Sequence, residues 1–147
     1  MLRFGLLVGL LLAAGCGRSG RPIELVVPDG HRGPIWIGPD PSAAAIPVVD
    51  GRYQAAIPPG GVLWVNSLGP LHGRHEFSAR YADGSVIRRR FDGSALAPDA
   101  VALRGGESMM AHRGGREYRF IRYFVGTEAG ASAFLNDDAQ LLPGEVP

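Results

Sequence analysis

The chain has 147 residues, a formal net charge of +1 and a single cysteine. One thiol excludes an internal disulfide and a thiolate-rich metal centre, and the near balance of charge gives no sign of a nucleic-acid partner, which would need a clustered basic face. All fifteen basic residues are arginine, a bias that a GC-rich genome explains without any role in recognition. The 22 glycines and 12 prolines are abundant, yet below the roughly 25–30% that marks disordered low-complexity sequence.

At the start, Arg3 precedes an apolar stretch from Phe4 to Ala14, and small residues lead directly into Cys16. A membrane-spanning helix needs roughly 20 apolar residues to cross about 30 Å of hydrocarbon, so this stretch is too short. A basic residue, a short apolar run and a small-residue cleavage site read as a secretory signal peptide. The run Leu10-Leu11-Leu12-Ala13-Ala14-Gly15-Cys16 resembles the lipobox of bacterial lipoproteins, with Ala13 where leucine is usual. That resemblance implies cleavage before Cys16, lipidation of its thiol and acylation of the new amino terminus. Residues 1–15 would then be signal peptide, 16–22 a lipidated tether and 23–147 a single domain. At about 0.8 kcal/mol per buried CH₂, two or more acyl chains hold a protein firmly where one does not. Gly17 stands where inner-membrane lipoproteins typically carry aspartate, so the same resemblance implies the outer membrane, facing the periplasm.

From Pro22 to Val125, short apolar runs alternate with turn signals such as Asp50-Gly51, Pro59-Gly60, Asp83-Gly84, Gly105-Gly106 and Gly114-Gly115. Regular Asp-Gly and Pro-Gly punctuation predicts an all-β sandwich or barrel. Strands are expected at 23–27, 35–37, 53–57 and 62–65, the last apolar on both faces and therefore central. A hairpin is expected from Glu76 to Phe91, turning at Asp83-Gly84 in a type I′ geometry. A short strand follows around Leu103 and Ser108 to His112, then a long aromatic one from Glu117 to Val125 with Tyr118, Phe120 and Phe124 on one face. Thr127 can cap a short helix through Leu135, with Glu128 at its positive end and Gly130 weakening it. The expected fold is mainly β, an antiparallel β-sandwich with one short C-terminal helix.

Two further resemblances sit on this frame. The segment from Val49-Asp50-Gly51-Arg52-Tyr53 through Pro58-Pro59-Gly60-Gly61 to Val65 resembles the core of carboxypeptidase-regulatory-like domains. These are transthyretin-like sandwiches, usually accessory or adhesive modules; here Gly61-Val62 replaces the usual Thr-Tyr. Val27-Pro28-Asp29-Gly30-His31-Arg32-Gly33-Pro34-Ile35 and Tyr123-Phe124-Val125-Gly126-Thr127-Glu128 resemble an uncharacterised family of small bacterial lipoprotein domains. No functional residue carries over from it.

Candidate chemistry is sparse. His72, His75 and Glu76 bring two imidazoles and a carboxylate within five residues, a set able to hold Zn²⁺ if a distant ligand such as His31 or His112 joins. His72 and His75 do not form a His-Glu-x-x-His helix motif, and a polar loop leading into a hairpin is the preferred account of them. Met109 and Met110 beside His112 suggest copper ligands, but adjacent residues on a strand point to opposite faces. In Arg88-Arg89-Arg90, Arg88 and Arg90 are expected to face outward, either meeting an anionic surface or keeping a sheet edge charged. Trp36 and Trp64 are core residues by default and an aromatic binding platform if exposed. No serine lies in a nucleophile elbow. The sequence therefore predicts a lipid-anchored, non-catalytic binding or structural module without a cofactor, whose partner is an envelope protein or glycan. The alternative is a periplasmic metal-binding lipoprotein using His72, His75 and His112.

Overall fold

The computed structural model describes residues 20–89, 96–137 and 142–144. Cys16 and Arg90 lie outside the described residues. The elements in chain order are β1 (Gly20–Val27), β2 (Gly33–Pro39), β3 (Val48–Val49), β4 (Arg52–Ala56), β5 (Val62–Val65), a 3₁₀ turn (Gly69–Leu71), β6 (His75–Tyr81), β7 (Ala102–Arg113), β8 (Arg116–Gly126) and α1 (Glu128–Leu135). They form two four-stranded sheets, ordered β3-β4-β1-β6 and β5-β2-β8-β7.

The mainly β fold with one short helix agrees with the sequence, but an antiparallel sandwich does not: both sheets are mixed. The chain alternates between sheets, β1 in the first, β2 in the second, β3–β4 back in the first, β5 in the second, β6 in the first and β7–β8 in the second. Two successive crossings return the chain in the same direction. β4 and β6 therefore both pair parallel to β1, and β5 pairs parallel to β2. Parallel neighbours require such crossover connections, whereas direct reversal gives antiparallel ones. The antiparallel pairs are β2–β8 and the hairpins β3–β4 and β7–β8. β5 is consequently an edge strand, not the central one its apolar sequence predicted. It is apolar on both sides because both faces of its sheet are covered.

Alternation fixes what each face does. Ile23, Leu25 and Val27 of β1, with Ala55 and Ala79 beside them, face Ile35, Ile37, Val65, Ile121, Tyr123 and Val125 across a shared core. The opposite face of the first sheet is polar. There Glu24 accepts a hydrogen bond from Gln54 at 3.0 Å and pairs with Arg80 at 3.2 Å and Arg52 at 3.7 Å. The opposite face of the second sheet is covered instead. Trp36 meets Phe134 of α1 edge-on at 5.3 Å, Trp64 meets Phe120 at 5.4 Å, and Phe124 lies 5.7 Å from Phe134. Leu142 closes over Phe120 and Ala111. Tyr118, Phe120 and Phe124 do share a face, and it is this one. Thr127 caps α1 by accepting from Gly130 N. Gly130 itself sits where a Cβ would come 3.1 Å from the Phe124 ring, so its missing side chain lets the helix settle on the sheet.

Two expected turns change character. At Asp83-Gly84 only Gly84 has positive φ, so the turn is not type I′. Asp83 instead accepts from the backbone and hydroxyl of Ser85. Beyond it no full strand follows among the described residues: Val86 bridges to Arg80, and Arg89 then bridges to Leu103 of the other sheet. The segment links the two layers, inserting Ile87 into the core. The doubly positive φ of a type I′ turn occurs at Asp50-Gly51 (48° and 78°) and Gly114-Gly115 (58° and 78°). Gly105-Gly106, in turn, is no chain reversal. It is a bulge inside the twelve-residue β7, where the register with β8 slips between Gly105 and Glu107. Both glycines have positive φ, and a Cβ on Gly105 would lie 2.6 Å from the Arg122 carbonyl oxygen.

Two outcomes are expected. Gly105→Ala should cost about 2–4 kcal/mol in urea unfolding, combining backbone strain with that clash, against about 1 kcal/mol for Gly115→Ala, which has positive φ and open space; equal costs would show that the bulge is not sterically constrained. Burial raises the Glu24 pKa, but the bonds from Gln54 and Arg80 and the charges of Arg80 and Arg52 outweigh it and hold the carboxyl below its ordinary value. Its stabilisation is thus present above the unfolded value and lost as pH falls through the folded one. Glu24→Gln should flatten the loss of stability between about pH 5 and pH 2, measured by thermal melts; an unchanged slope would contradict this role.

Candidate functional site

A cavity of about 570 Å³ opens at the β7 edge of the second sheet, between α1 and the β6 edge of the first. The bulge creates it. On a regular strand, residues 104 and 107 would face opposite ways. The extra residue puts Arg104 opposite Phe124 and Glu107 opposite Arg122, both on the covered face. Gly105 and Gly106 leave the wall without side chains. From α1 come Glu128, Ala131, Ser132, Leu135 and Asn136, and from the first sheet and its loops Ile23, Leu71, His75 and Phe77.

Arg89, Tyr123 and Arg104 are among its lining residues. Arg89 donates to the Phe77 carbonyl at 3.1 Å and lays its guanidinium 4.4 Å from the centre of the Phe77 ring. Tyr123 stacks on Phe77 at 5.6 Å. Burial pushes the Tyr123 hydroxyl up to about 12, with the charge of Arg89 opposing the rise. Arg104 is 3% exposed, and its Nε and Nη2 have no hydrogen-bond partner among the described residues. Arg122 is equally buried on the same face. It donates to the Leu135 carbonyl at 3.1 Å and lies 5.3 Å from the Phe134 ring centre, a cation at the negative end of a helix.

The residues singled out in the sequence are scattered by comparison. His75 lines the cavity, but its Nδ1 bonds the Arg21 carbonyl at 2.8 Å and its Nε2 the His72 carbonyl. Both ring nitrogens thus face backbone carbonyls, and share no metal position with other described side chains. His72 and Glu76 are exposed. His112 stands on the β7–β8 hairpin, 3.9 Å from Glu117. Among the described residues no three His, Cys, Asp or Glu side chains gather as a metal site. Trp36 and Trp64 are partly buried under the second layer and do not belong to the principal core. Arg88 is exposed, whereas its neighbour Arg89, which alternation alone did not single out, enters the cavity wall. Arg104 was missed as well. Its sequence signal is a charge at the end of the apolar run Val101-Ala102-Leu103, directly before Gly105-Gly106.

No protein-family model matches the chain, and no curated protein matches it. A crystal structure of a "Putative Lipoprotein from Bacillus anthracis" is similar at 12% identity and a TM-score of 0.48, over 88% of this chain and 85% of that one.

Tyr123 gives the cavity a spectroscopic marker. Its folded pKa lies above the unfolded value of 10.0, so above pH 10 the unfolded chain releases a proton that the folded one retains. Stability should fall between about pH 10 and 12 by roughly 1.4 kcal/mol per unit, and Tyr123→Phe should remove that fall along with the last phenolate transition at 295 nm. Persistence of that transition in Tyr123→Phe would contradict the assignment.

Proposed function

We propose that this chain is a lipid-anchored protein of the bacterial cell envelope, held at the outer membrane through Cys16 and facing the periplasm, whose β domain is a non-catalytic binding module. Anchoring rests on Arg3, the apolar run to Ala14 and the small residues before Cys16. Because β1 begins at Gly20, the chain between the lipidated residue and the first strand reaches about 14 Å at most. The domain would therefore sit against the membrane surface, with little freedom to search beyond it. The partly transthyretin-like segment 49–65 supports an accessory module in the same sense.

The observation that carries the binding reading is the cavity beside the β7 bulge. It is solvent-connected, has an apolar wall at Phe77 and Leu135, and has a buried cation among its lining groups. Its histidine, His75, places both ring nitrogens against backbone carbonyls. The ligand is a molecule of the envelope, a segment of a protein or a glycan, presented to the cavity by its closeness to the membrane.

Fractionation tests the anchor. The native protein should pellet with membranes, resist extraction by high salt and dissolve in detergent, and Cys16→Ala should move to the soluble fraction. The same membrane fraction for both forms would contradict lipid anchoring at Cys16.

A further inference from the structure

We propose that the cavity beside the β7 bulge binds an oxyanion, a carboxylate or phosphate group on a larger molecule, with the Arg104 guanidinium as its counter-charge. This rests on the reading of the domain as a binding module and names the chemistry of its ligand. A guanidinium offers five N–H donors and keeps its charge inside a protein. Burying such a group without a partner is among the costliest arrangements a fold can hold, because both the charge and the donors lose water. Arg104 is in that position: it is 3% exposed, and Nε and Nη2 are sealed from solvent with no acceptor among the described residues.

The neighbouring arginines each have a protein partner. Arg122, just as buried, donates through Nη2 to the last turn of α1, although its Nε is also buried without a hydrogen-bond partner among the described residues. Arg89 is held by the Phe77 carbonyl and ring. Arg104 forms no ion pair with a described carboxylate, although Glu107 and Glu128 line the same cavity. Arg104 lines the cavity, and a guanidinium with unmet donors beside it matches the bidentate geometry with which arginine takes carboxylate and phosphate. A volume of about 570 Å³ exceeds what a bare ion fills. Phe77 and Leu135 offer the rest of the ligand an apolar surface. The negative charge of Glu107, which lines the same cavity, disfavours a polyanion.

The test uses the full lipidated protein in neutral detergent, with thermal melts followed by tryptophan fluorescence. Sodium phosphate, sodium benzoate and neutral benzyl alcohol are titrated separately, with sodium chloride holding ionic strength constant. Phosphate or benzoate should raise Tm saturably, by about 3 °C or more, and whichever acts identifies phosphate or carboxylate as the preferred group. Arg104→Met should abolish the rise, and Arg88→Ala, at an exposed position outside the cavity, should preserve it. Without ligand, Arg104→Met should melt no lower than the native protein, because it removes an unpaired buried charge; a merely structural arginine would melt several degrees lower when replaced. As a second variant, Arg104→Lys should keep the charge but lose the fork, raising the half-saturating concentration about tenfold. Absence of a saturable response to either anion in the native protein would overturn the proposal, as would an unchanged response in the folded Arg104 variant. Stabilisation by benzyl alcohol alone would leave the domain a binding module and overturn the oxyanion.

Discussion

The second sheet is covered on both faces, and the rest of the molecule follows from that constraint. On one side Ile35, Ile37, Ile121 and Val125 close the core with the first sheet. On the other, Trp36, Phe120 and Phe124 are covered by α1 and the segment at Leu142. A strand with one wet face can tolerate any polar residue at alternate positions. β8 cannot, because both residue parities are desolvated along much of its length. Its one charged residue in that stretch, Arg122, is accommodated by a helix carbonyl and a ring. The helix is therefore a structural layer, fixed by Phe134 and by the close approach that Gly130 permits.

The same constraint gives the β7 bulge its consequence. Without the extra residue, one of Arg104 and Glu107 would be turned away from the helix-covered face. With it, both face that side and the wall between them is bare backbone. A buried cation and an opening thus arise from one local irregularity, at a place where the sheet edge, the helix and the other sheet come together. Bulges often re-aim side chains at sheet edges, and here the re-aimed group is one whose desolvation the described protein atoms do not offset.

Much of the strand content is legible in the sequence because alternation and turn chemistry are local. Ile23, Leu25 and Val27 face the core as their spacing predicts, and Thr127 caps the helix it precedes. Sheet order is not local. A strand that pairs parallel after two crossings carries the same alternating pattern as one that pairs antiparallel after a hairpin, so β4, β5 and β6 gave no sign of their direction. Glycine pairs were ambiguous for a related reason. Positive φ serves both a reversal, as at Gly114-Gly115, and a bulge, as at Gly105-Gly106, and only the partner strand distinguishes them. The histidines drew attention because their chemistry is versatile, but backbone carbonyls occupy His75. Arg104 looked ordinary because burial of its guanidinium depends on a helix that arrives more than twenty residues later.

Crystallography tests most directly whether the Arg104 guanidinium receives an oxyanion. Crystals soaked in selenate would place the anion through its anomalous scattering. The predicted result is a peak within hydrogen-bonding reach of the Arg104 guanidinium, absent from crystals of Arg104→Met soaked identically. Peaks confined to exposed arginines such as Arg88, with the space before Arg104 empty or filled by water, would contradict it.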